Sequence, residues 1–344
     1  MRKKGCRMKI GNFDLDNDVL VIAEIGNNHE GDFSQAQKMI ELAAEAGVGA
    51  VKFQTYKTEL FVKYKNKDRF DQLKSFELNY KQFEELSNIA SQNGLIFLST
   101  PLDLESAKFL NSIVPAFKIA SGDNNFYPLL KLVASYSKPV ILSSGIADLQ
   151  QLKYSIEIME KIWGPLNYKN NLSILHCIAS YPVPLKEVNL SAIKYLKKSL
   201  DCTIGYSDHT IGTDAANLSV ALGARIVEKH FTINKNYSSF RDHQLSADPA
   251  EMAQLVERIK TINQIMGKEQ KVIQPCESET THMIRRSIVA NRNISAGEVI
   301  NWNDITWMRP GDGIPPGDEN LIIGYTLSKD LKKGDIITEN YILK

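Results

Sequence analysis

The sequence has little of several features that would assign a protein to a class at once. Its 344 residues contain only four cysteines, far apart in the chain, so no zinc motif or redox motif is indicated. The formal net charge of +1 favours neither nucleic acid nor membrane as a partner, and no apolar run approaches the length of a membrane span. The rest of the composition is that of a globular chain, which we expect in a reducing, cytoplasmic compartment.

Two further signals are missing near the start of the chain. Residues 1–7 are basic, but residues 10–16 do not form the apolar core of a secretory signal, so no leader is predicted and Met8 is an alternative start. No Gly-x-Gly-x-x-Gly motif follows the first apolar run, which weakens the hypothesis of a dinucleotide-binding open sheet.

Short apolar runs alternate with segments of helical period from residue 19 to about residue 265. One such segment covers residues 34–45, with Ser34 as its predicted N-cap and Gly47 as its terminator. Eight apolar strands separated by helices predict a parallel sheet and favour a closed (β/α)₈ TIM barrel over a doubly wound open sheet. The predicted strands are 19–25, 50–53, 95–98, 116–120, 139–142, 172–177, 202–206 and 225–229.

The sequence changes character near residue 266. Residues 267–284 are polar and contain Pro275, which predicts a linker. The apolar segments that follow are short and separated by turns, which predicts a small β-rich module. The predicted domains are an N-terminal segment 1–18, a catalytic barrel 19–266, the linker 267–284 and the module 285–344.

Two histidines stand at the ends of consecutive predicted strands. His209 follows the run 202–206 and His230 follows the run 225–229. Consecutive parallel strands usually lie side by side, roughly 4.8 Å apart, so the two imidazoles can meet on one metal ion. The alternative is two unrelated histidines, one capping a helix and one buried in a core.

Two lysines lie inside strand segments that a covered sheet must bury. Lysine is almost never fully buried unless it is paired, so Lys52 and Lys118 require an explanation. Pointing into one barrel mouth, they would form a cationic pocket suited to a phosphate and a carboxylate, with Glu24 and Asp123 orienting hydroxyls or a water. Hydroxyl side chains expected beside them are Ser121, Ser143 and Ser207. Taken singly, each polar residue here could instead cap a helix or a turn.

Through the motifs at these strand ends, the sequence resembles the sialic acid synthase family. That family includes N-acetylneuraminate synthase and the bacterial synthases of legionaminic and pseudaminic acids. The resemblance covers nearly the whole chain, and the last sixty residues or so resemble that family's antifreeze-like (SAF) domain. The motifs that carry the resemblance are residues 23–29, 52–54, 118–122, 142–145, 207–210, 228–231, 309–316 and 332–335.

The resemblance implies a condensation of phosphoenolpyruvate with an N-acetylated hexose such as N-acetylmannosamine, giving a nine-carbon 2-keto acid and phosphate. It implies a divalent metal, Mn²⁺ or Mg²⁺, held by His209 and His230 as a Lewis acid. It also implies a homodimer with swapped SAF domains, in which Arg309 reaches the partner's barrel. The residues it places on phosphoenolpyruvate are Lys52, Lys118, Ser121, Ser143 and Ser207. Those that contact the sugar or orient reactants are Glu24, Tyr181 and Asp242, and Gln54 is a further substrate-binding residue.

Two positions depart from the common bacterial pattern of that family. Asp123 stands where a glutamate is usual, and we predict that it remains catalytic together with Glu24 and Lys118. The loop 241–249 also differs, so a synthase of legionaminic or pseudaminic acid, using a diacetamido-trideoxyhexose, is the alternative. Two more distant alternatives are a Schiff-base aldolase with Lys118 as its lysine, and a non-catalytic sugar-binding or ice-binding protein.

Overall fold

The computed structural model describes residues 8–165 and 167–343, and the chain separates into two compact units that divide after Gly267. The basic stretch 1–7, with Cys6 and the question of a start at Met1, lies outside the described residues. None of the described helices combines the length and the apolar character that a membrane crossing needs.

Within the described part of the first unit, eight strands form one parallel sheet. They are β1 (Leu20–Gly26), β2 (Ala50–Thr55), β3 (Ile96–Pro101), β4 (Phe117–Ile119), β5 (Val140–Ser143), β6 (Leu172–Cys177), β7 (Thr203–Asp208) and β8 (Ile226–His230). Their order is β3-β2-β1-β8-β7-β6-β5-β4, and the two end strands β3 and β4 approach each other. The sheet is therefore a TIM-like near-barrel, as predicted.

Helices connect the strands and pack outside the sheet. Helix Phe33–Glu45 shows the pattern, because its buried residues recur every three or four positions and form one apolar stripe. The other helices of this unit are Thr58–Phe61, Lys67–Phe76, Tyr80–Gln92, Leu104–Leu110, Tyr127–Ser135, Leu149–Trp163, Tyr168–Asn171, Ser191–Ser199, Asp214–Ala221, Asp242–Leu245 and Pro249–Met266, with 3₁₀ turns at Ser121–Asp123 and Leu185–Glu187.

The first helix begins one residue earlier than the sequence predicted. Its N-cap is Asp32, whose carboxylate accepts the backbone N–H groups of Ser34 at 2.8 Å and Gln35 at 3.2 Å. The prediction of Ser34 as the N-cap is wrong, because the carboxylate two residues earlier satisfies the free N–H groups of the first turn. Gly47 follows the helix in the left-handed region, with φ of +79°.

A short hairpin packs at the start of the first unit. Strands Lys9–Ile10 and Phe13–Asp14 pair antiparallel, and the side chains of Met8, Ile10 and Leu15 are buried. They cluster with barrel residues that include Leu20, Ile22, Ala50, Leu98, Ile141, Leu175 and Ile226. Because several of these barrel residues start their strands, the hairpin closes the amino-terminal end of the barrel. The opposite end, where the strands finish, is left to form a site.

The second unit, Lys268–Lys344, has its own small apolar core, rich in isoleucine. Strand Ser287–Ala290 pairs with Ile305–Met308, and Thr326–Leu327 pairs with Ile342–Leu343, both antiparallel. The short helix Thr281–Ile284 lies within the stretch predicted as a linker. The 3₁₀ turns of this unit are Pro275–Glu277, Trp302–Asp304, Glu319–Leu321 and Glu339–Tyr341.

Candidate active site

A cavity of about 400 Å³ opens at the carboxyl ends of the barrel strands. Each of the eight strands contributes to its lining, as the topology of a parallel barrel requires. Strand residues in the lining are Glu24, Lys52, Gln54, Thr100, Lys118, Ser143, Cys177, Ser207, Glu228 and His230, and residues beyond the strand ends include Ser121, Asp123, Tyr181, His209 and Asp242. The structure thus brings together every candidate that the sequence placed in the barrel.

Side chains alternate between the two faces of the sheet along β7 and β8. Asp208 pairs with Lys229 at 3.1 Å, and neither residue lines the cavity. Asp208 also accepts the backbone N–H of Thr210 at 2.9 Å, which holds the chain on either side of His209. The period of two along a strand places the other four residues in the cavity: Ser207, His209, Glu228 and His230.

The two predicted lysines are buried and face two carboxylates. Lys52 Nζ lies 2.7 Å from Glu24 Oε2 and 3.7 Å from Glu228 Oε2, and Lys118 Nζ lies 3.7 Å from Glu228 Oε1. Lys118 Nζ also donates to Ser143 Oγ at 2.8 Å. The pocket is therefore not the mainly cationic one that the sequence predicted, because two carboxylates offset the two ammonium groups.

Glu228 is the site residue that the sequence analysis missed. Its Oε1 accepts a hydrogen bond from Ser207 Oγ at 2.8 Å, while its Oε2 is buried without a hydrogen-bond partner among the described residues. Burial acts to raise the pKa of Glu228, but Lys118 and Lys52 outweigh it, so the pKa is lowered and the carboxylate stays ionised. Its spacing of two residues from His230 on one strand was the available signal, since it places both on the same face.

The two histidines predicted to bind metal lie together, with ring centroids 5.4 Å apart. Nδ1 of His209 lies 2.8 Å from the carbonyl oxygen of Ile178. A carbonyl oxygen can only accept, so Nδ1 carries a proton, and in the neutral ring Nε2 keeps a free lone pair. Nδ1 of His230 is buried and has no hydrogen-bond partner among the described residues. Burial, reinforced by the charge of His209, lowers the pKa of His230 well below its usual value, so this ring is neutral.

These observations fit a divalent metal held by two imidazoles. Both rings line the cavity, so His230 can supply one nitrogen ligand there and His209, whose Nδ1 is engaged by Ile178, can supply Nε2. Across the described residues no group of three or more His, Cys, Asp or Glu side chains could hold a metal ion. A metal here would therefore take its other ligands from substrate or water. Burial lowers the pKa of His209, but hydrogen bonding to Cys177 and Ile178 outweighs it, so the net shift is upward.

The cavity also carries aromatic and amide groups suited to a sugar. The Tyr181 ring centroid lies 4.2 Å from that of His209. Gln54 Nε2 donates to Glu24 Oε1 at 3.3 Å, and Gln54 Oε1 accepts from Asn27 at 3.1 Å. Asp242 begins helix Asp242–Leu245, and burial raises the pKa of its carboxylate against the opposing charge of Arg241.

Asp123 ends the 3₁₀ turn that follows β4 and lines the same cavity. Burial raises the pKa of its carboxyl to about 6, with Lys118 acting in the opposite direction. Ser121, at the start of the turn, accepts the backbone N–H of Gly145 at 3.1 Å. A Cβ at position 145 would lie 2.6 Å from Ser121 Oγ, so this close approach requires glycine.

Arg309 is described within the second unit, where it is exposed and follows strand Ile305–Met308. It is the one predicted site residue outside the barrel. Its role in catalysis is therefore part of the proposal below.

Comparison with known proteins agrees with both units. Residues 39–271 match the model of the NeuB family, and residues 285–342 match that of the SAF domain. N,N'-diacetyllegionaminic acid synthase of Campylobacter jejuni is 37% identical over 335 residues, covering 93% of this chain and 99% of its own. Human N-acetylneuraminate-9-phosphate synthase is 32% identical over 340 residues, covering 94% of this chain and 92% of its own. The solved N-acetylneuraminic acid synthetase of Leptospira borgpetersenii is 36% identical, with a TM-score of 0.74, covering 79% and 94%.

Proposed function

Because this chain belongs to the NeuB family, whose members include synthases of sialic and related nonulosonic acids, we propose that it condenses phosphoenolpyruvate with an N-acetylhexosamine. The products are a nine-carbon 2-keto sugar acid of the N-acetylneuraminate type and inorganic phosphate. The observation that carries this proposal is the single cavity in which two buried lysines and two buried histidines meet at the carboxyl ends of the strands.

The lysines and hydroxyl groups bind the first substrate. Lys52 and Lys118 contact the phosphate and carboxylate of phosphoenolpyruvate through charge-assisted hydrogen bonds. Hydroxyl groups placed to hydrogen-bond the same oxygens belong to Ser121, Ser143 and Ser207. Gln54, Tyr181 and Asp242 contact the sugar, which leaves its aldehyde beside the histidines.

Carbon 3 of phosphoenolpyruvate attacks the aldehyde carbon of the open-chain hexose, and its double-bond electrons form the new C–C bond. Water adds to the resulting cation at carbon 2, and the C–O bond to phosphate then breaks to leave the ketone. Of the two protons of this water, one ends on the new hydroxyl and one on the phosphate. Asp123, with a pKa of about 6, takes the first proton from the water.

His209 and His230 are the ligands for a divalent metal, Mn²⁺ or Mg²⁺, which when bound supplies Lewis-acid polarisation of the aldehyde oxygen. The hydrogen bond from His209 Nδ1 to Ile178 fixes the tautomer that leaves Nε2 free for this purpose.

The acceptor sugar has one alternative. A diacetamido-trideoxyhexose would make the enzyme a synthase of legionaminic or pseudaminic acid. The relatives support both choices equally, since the Campylobacter protein is a legionaminic acid synthase and the Leptospira protein a sialic acid synthetase.

The test is release of phosphate from phosphoenolpyruvate across a panel of N-acylated hexoses, each with Mn²⁺, with Mg²⁺ and with excess chelator. We expect release to require one sugar and a metal, with one 2-keto acid formed per phosphate. Release without a sugar, or no release with any acceptor in the panel, would contradict the proposal. Borohydride added during turnover should trap no adduct on Lys118, in contrast to a Schiff-base aldolase.

We also propose a homodimer with swapped SAF domains, in which Arg309 contacts the N-acyl group of the sugar in the partner's barrel. A guanidinium is well suited to an amide carbonyl, and this exposed arginine lies beyond the barrel in sequence. Mixing an Arg309→Ala chain with a His209→Ala chain should recover about a quarter of wild-type activity, because half of the randomly assembled dimers have one intact site. No recovery after confirmed subunit exchange would contradict the swap.

A further inference from the structure

The segment that follows β8, residues 231–246, brings Asp242 into the cavity lining. Its first part, residues 231–241, is irregular, and most side chains from Asn234 to Arg241 are partly or fully exposed. An irregular and exposed segment is held in place mainly by a few side-chain contacts, so those contacts decide where Asp242 lies. Several of them come from the loop after β1, residues 27–32, whose buried polar groups have no part in the condensation proposed above.

A glutamate of the β1 loop meets a histidine of the β8 segment. His243 is fully buried, and its Nε2 lies 3.0 Å from Glu30 Oε1 while its Nδ1 lies 2.7 Å from Thr232 Oγ1. A carboxylate oxygen can only accept, so Nε2 donates to Glu30, and both ring nitrogens are engaged. Ser238, in the irregular part, also donates to Glu30 Oε1. Glu30 therefore holds the segment at two points, one of them the residue directly after Asp242.

Asn28, also fully buried, makes a second connection between the same two loops. Its Nδ2 donates to the carbonyl oxygen of Phe231 at 2.8 Å and to Ser246 Oγ at 3.0 Å. These are the two ends of the β8 segment. Ser246 Oγ in turn donates to the carbonyl oxygen of Asp242 at 2.6 Å. The β1 loop thus contacts the beginning, the middle and the end of the segment.

The β1 loop is the fixed partner in these contacts. A Cβ at Gly31 would lie 2.2 Å from the carbonyl oxygen of Ser75, so the loop backbone packs directly against helix Lys67–Phe76. Asp32 caps the first helix of the barrel. Between the β1 strand and these anchors, Glu30 has φ of +47°, a left-handed conformation that a residue with a side chain keeps only when its surroundings fix it. The β8 segment is therefore the part that is positioned.

We infer that Glu30 and His243 are a pair of positioning residues that hold Asp242 against the acceptor sugar. The inference rests on the proposed function, which places Asp242 on that sugar. Neither Glu30 nor His243 lines the cavity, so the pair acts through Asp242 and not by touching substrate. Phosphoenolpyruvate is bound from β2, β4, β5 and β7, so loss of the pair should weaken binding of the sugar far more than binding of phosphoenolpyruvate.

The experiment compares the KM for the accepted hexose with the KM for phosphoenolpyruvate, with metal saturating. We expect Glu30→Ala and His243→Ala each to raise the sugar KM roughly 10-fold, because each removes the hydrogen bond beside Asp242, with a far smaller change for phosphoenolpyruvate. Glu30→Gln keeps an acceptor oxygen for His243 and should restore the sugar KM. The double alanine variant should be no worse than Glu30→Ala, because both changes remove the same contact.

Two further variants complete the series. Ser238→Ala removes a partly exposed contact to Glu30, so it should raise the sugar KM roughly threefold, and it serves where His243→Ala does not fold. The matched control is Glu41→Ala, an exposed glutamate on helix Phe33–Glu45, which should leave both KM values unchanged.

A second readout is independent of turnover. Trypsin cleaves after Lys235 and Arg241, which both lie in the irregular part of the β8 segment. We expect cleavage at these two bonds, mapped by mass spectrometry, to be faster in Glu30→Ala and His243→Ala than in the wild type or Glu30→Gln. Cleavage elsewhere should keep its rate, whereas a general loss of stability would accelerate it throughout the chain.

The outcomes separate this inference from the proposed function. An equal rise in both KM values, an unchanged sugar KM, or alanine effects that multiply in the double variant would overturn the positioning pair and leave the condensation standing. Unchanged cleavage after Lys235 and Arg241 in the alanine variants would also overturn it. Failure of every N-acylated hexose to release phosphate from phosphoenolpyruvate would overturn the proposed function itself, and the cleavage rates would still decide whether the pair holds the segment.

Discussion

Strands β7 and β8 carry buried charged groups on both faces, and the two sets differ in how well they are satisfied. On the outer face, Asp208 accepts from Lys229, from the Tyr206 hydroxyl and from Thr210. On the inner face, Nδ1 of His230 is buried with no hydrogen-bond partner among the described residues, and Oε2 of Glu228 has only the Lys52 ammonium, 3.7 Å away. A buried polar atom without a partner is costly, so the inner set indicates a ligand, whereas the outer set is complete and stabilises the fold.

Removing an inner-face histidine should cause the largest loss of activity. We expect His230→Ala, like His209→Ala, to lower kcat by roughly 10³-fold or more, because Lewis-acid polarisation of the aldehyde is lost. Thermal unfolding of His230→Ala should change far less than that of Lys229→Met, since Nδ1 of His230 bonds to no described residue. The measurement is phosphate release beside calorimetry, and excess chelator should reproduce the loss in the wild type. Full activity of the wild type in chelator would contradict the metal site.

The opposite result is expected on the outer face. Lys229→Met should lower the free energy of unfolding by about 3–5 kcal/mol, because it leaves the buried Asp208 carboxylate without its cation. Denaturant unfolding measures this, and the kcat of the fraction that remains folded should change far less than in His230→Ala. A stable Lys229→Met protein with no activity would mean that the outer pair also serves the chemistry.

A smaller effect is expected for Lys118, which binds substrate and also pairs with Glu228. Lys118→Met should raise the KM for phosphoenolpyruvate by roughly 10-fold to 100-fold and lower kcat, with less change in the sugar KM, because one charge-assisted contact is lost. The control is Lys138→Met, a half-buried lysine that donates to the Val114 carbonyl oxygen away from the cavity. If only the sugar KM moved, the assignment of Lys118 to phosphoenolpyruvate would be wrong.

The smallest effect on kcat is expected from a change in pH. Asp123 has a raised pKa of about 6, so its carboxylate is ionised above that pH and can accept a proton. With metal saturating, we expect kcat to fall as pH drops through about 6, approaching tenfold per unit. Asp123→Asn should be slower at all pH values and should lack this limb. An unchanged midpoint in Asp123→Asn would assign the limb to another group, such as His209, whose pKa is also raised.

Much of the barrel could be predicted because its signals are local. Apolar runs of strand length separated by helical segments predict a parallel sheet without any knowledge of distant contacts. The observed strands lie close to the predicted runs. The same rule places His209 and His230 at adjacent strand ends, so predicting that they lie together required only the order of the strands. The cap of the first helix was mispredicted because Ser34 and Asp32 are both good capping residues, and only the backbone path selects between them.

By itself, then, the sequence determined the repeated strand–helix order, the small β-rich second unit and the polar residues at the strand ends. Only the tertiary structure decided which buried charges are paired and that Glu228 lies between Lys52 and Lys118. The physical reason is the separation along the chain of the residues that interact. Strand and helix patterns come from contacts within a few residues, whereas ion pairing and cavity lining join side chains far apart in the chain, and distance in space alone determines their energy.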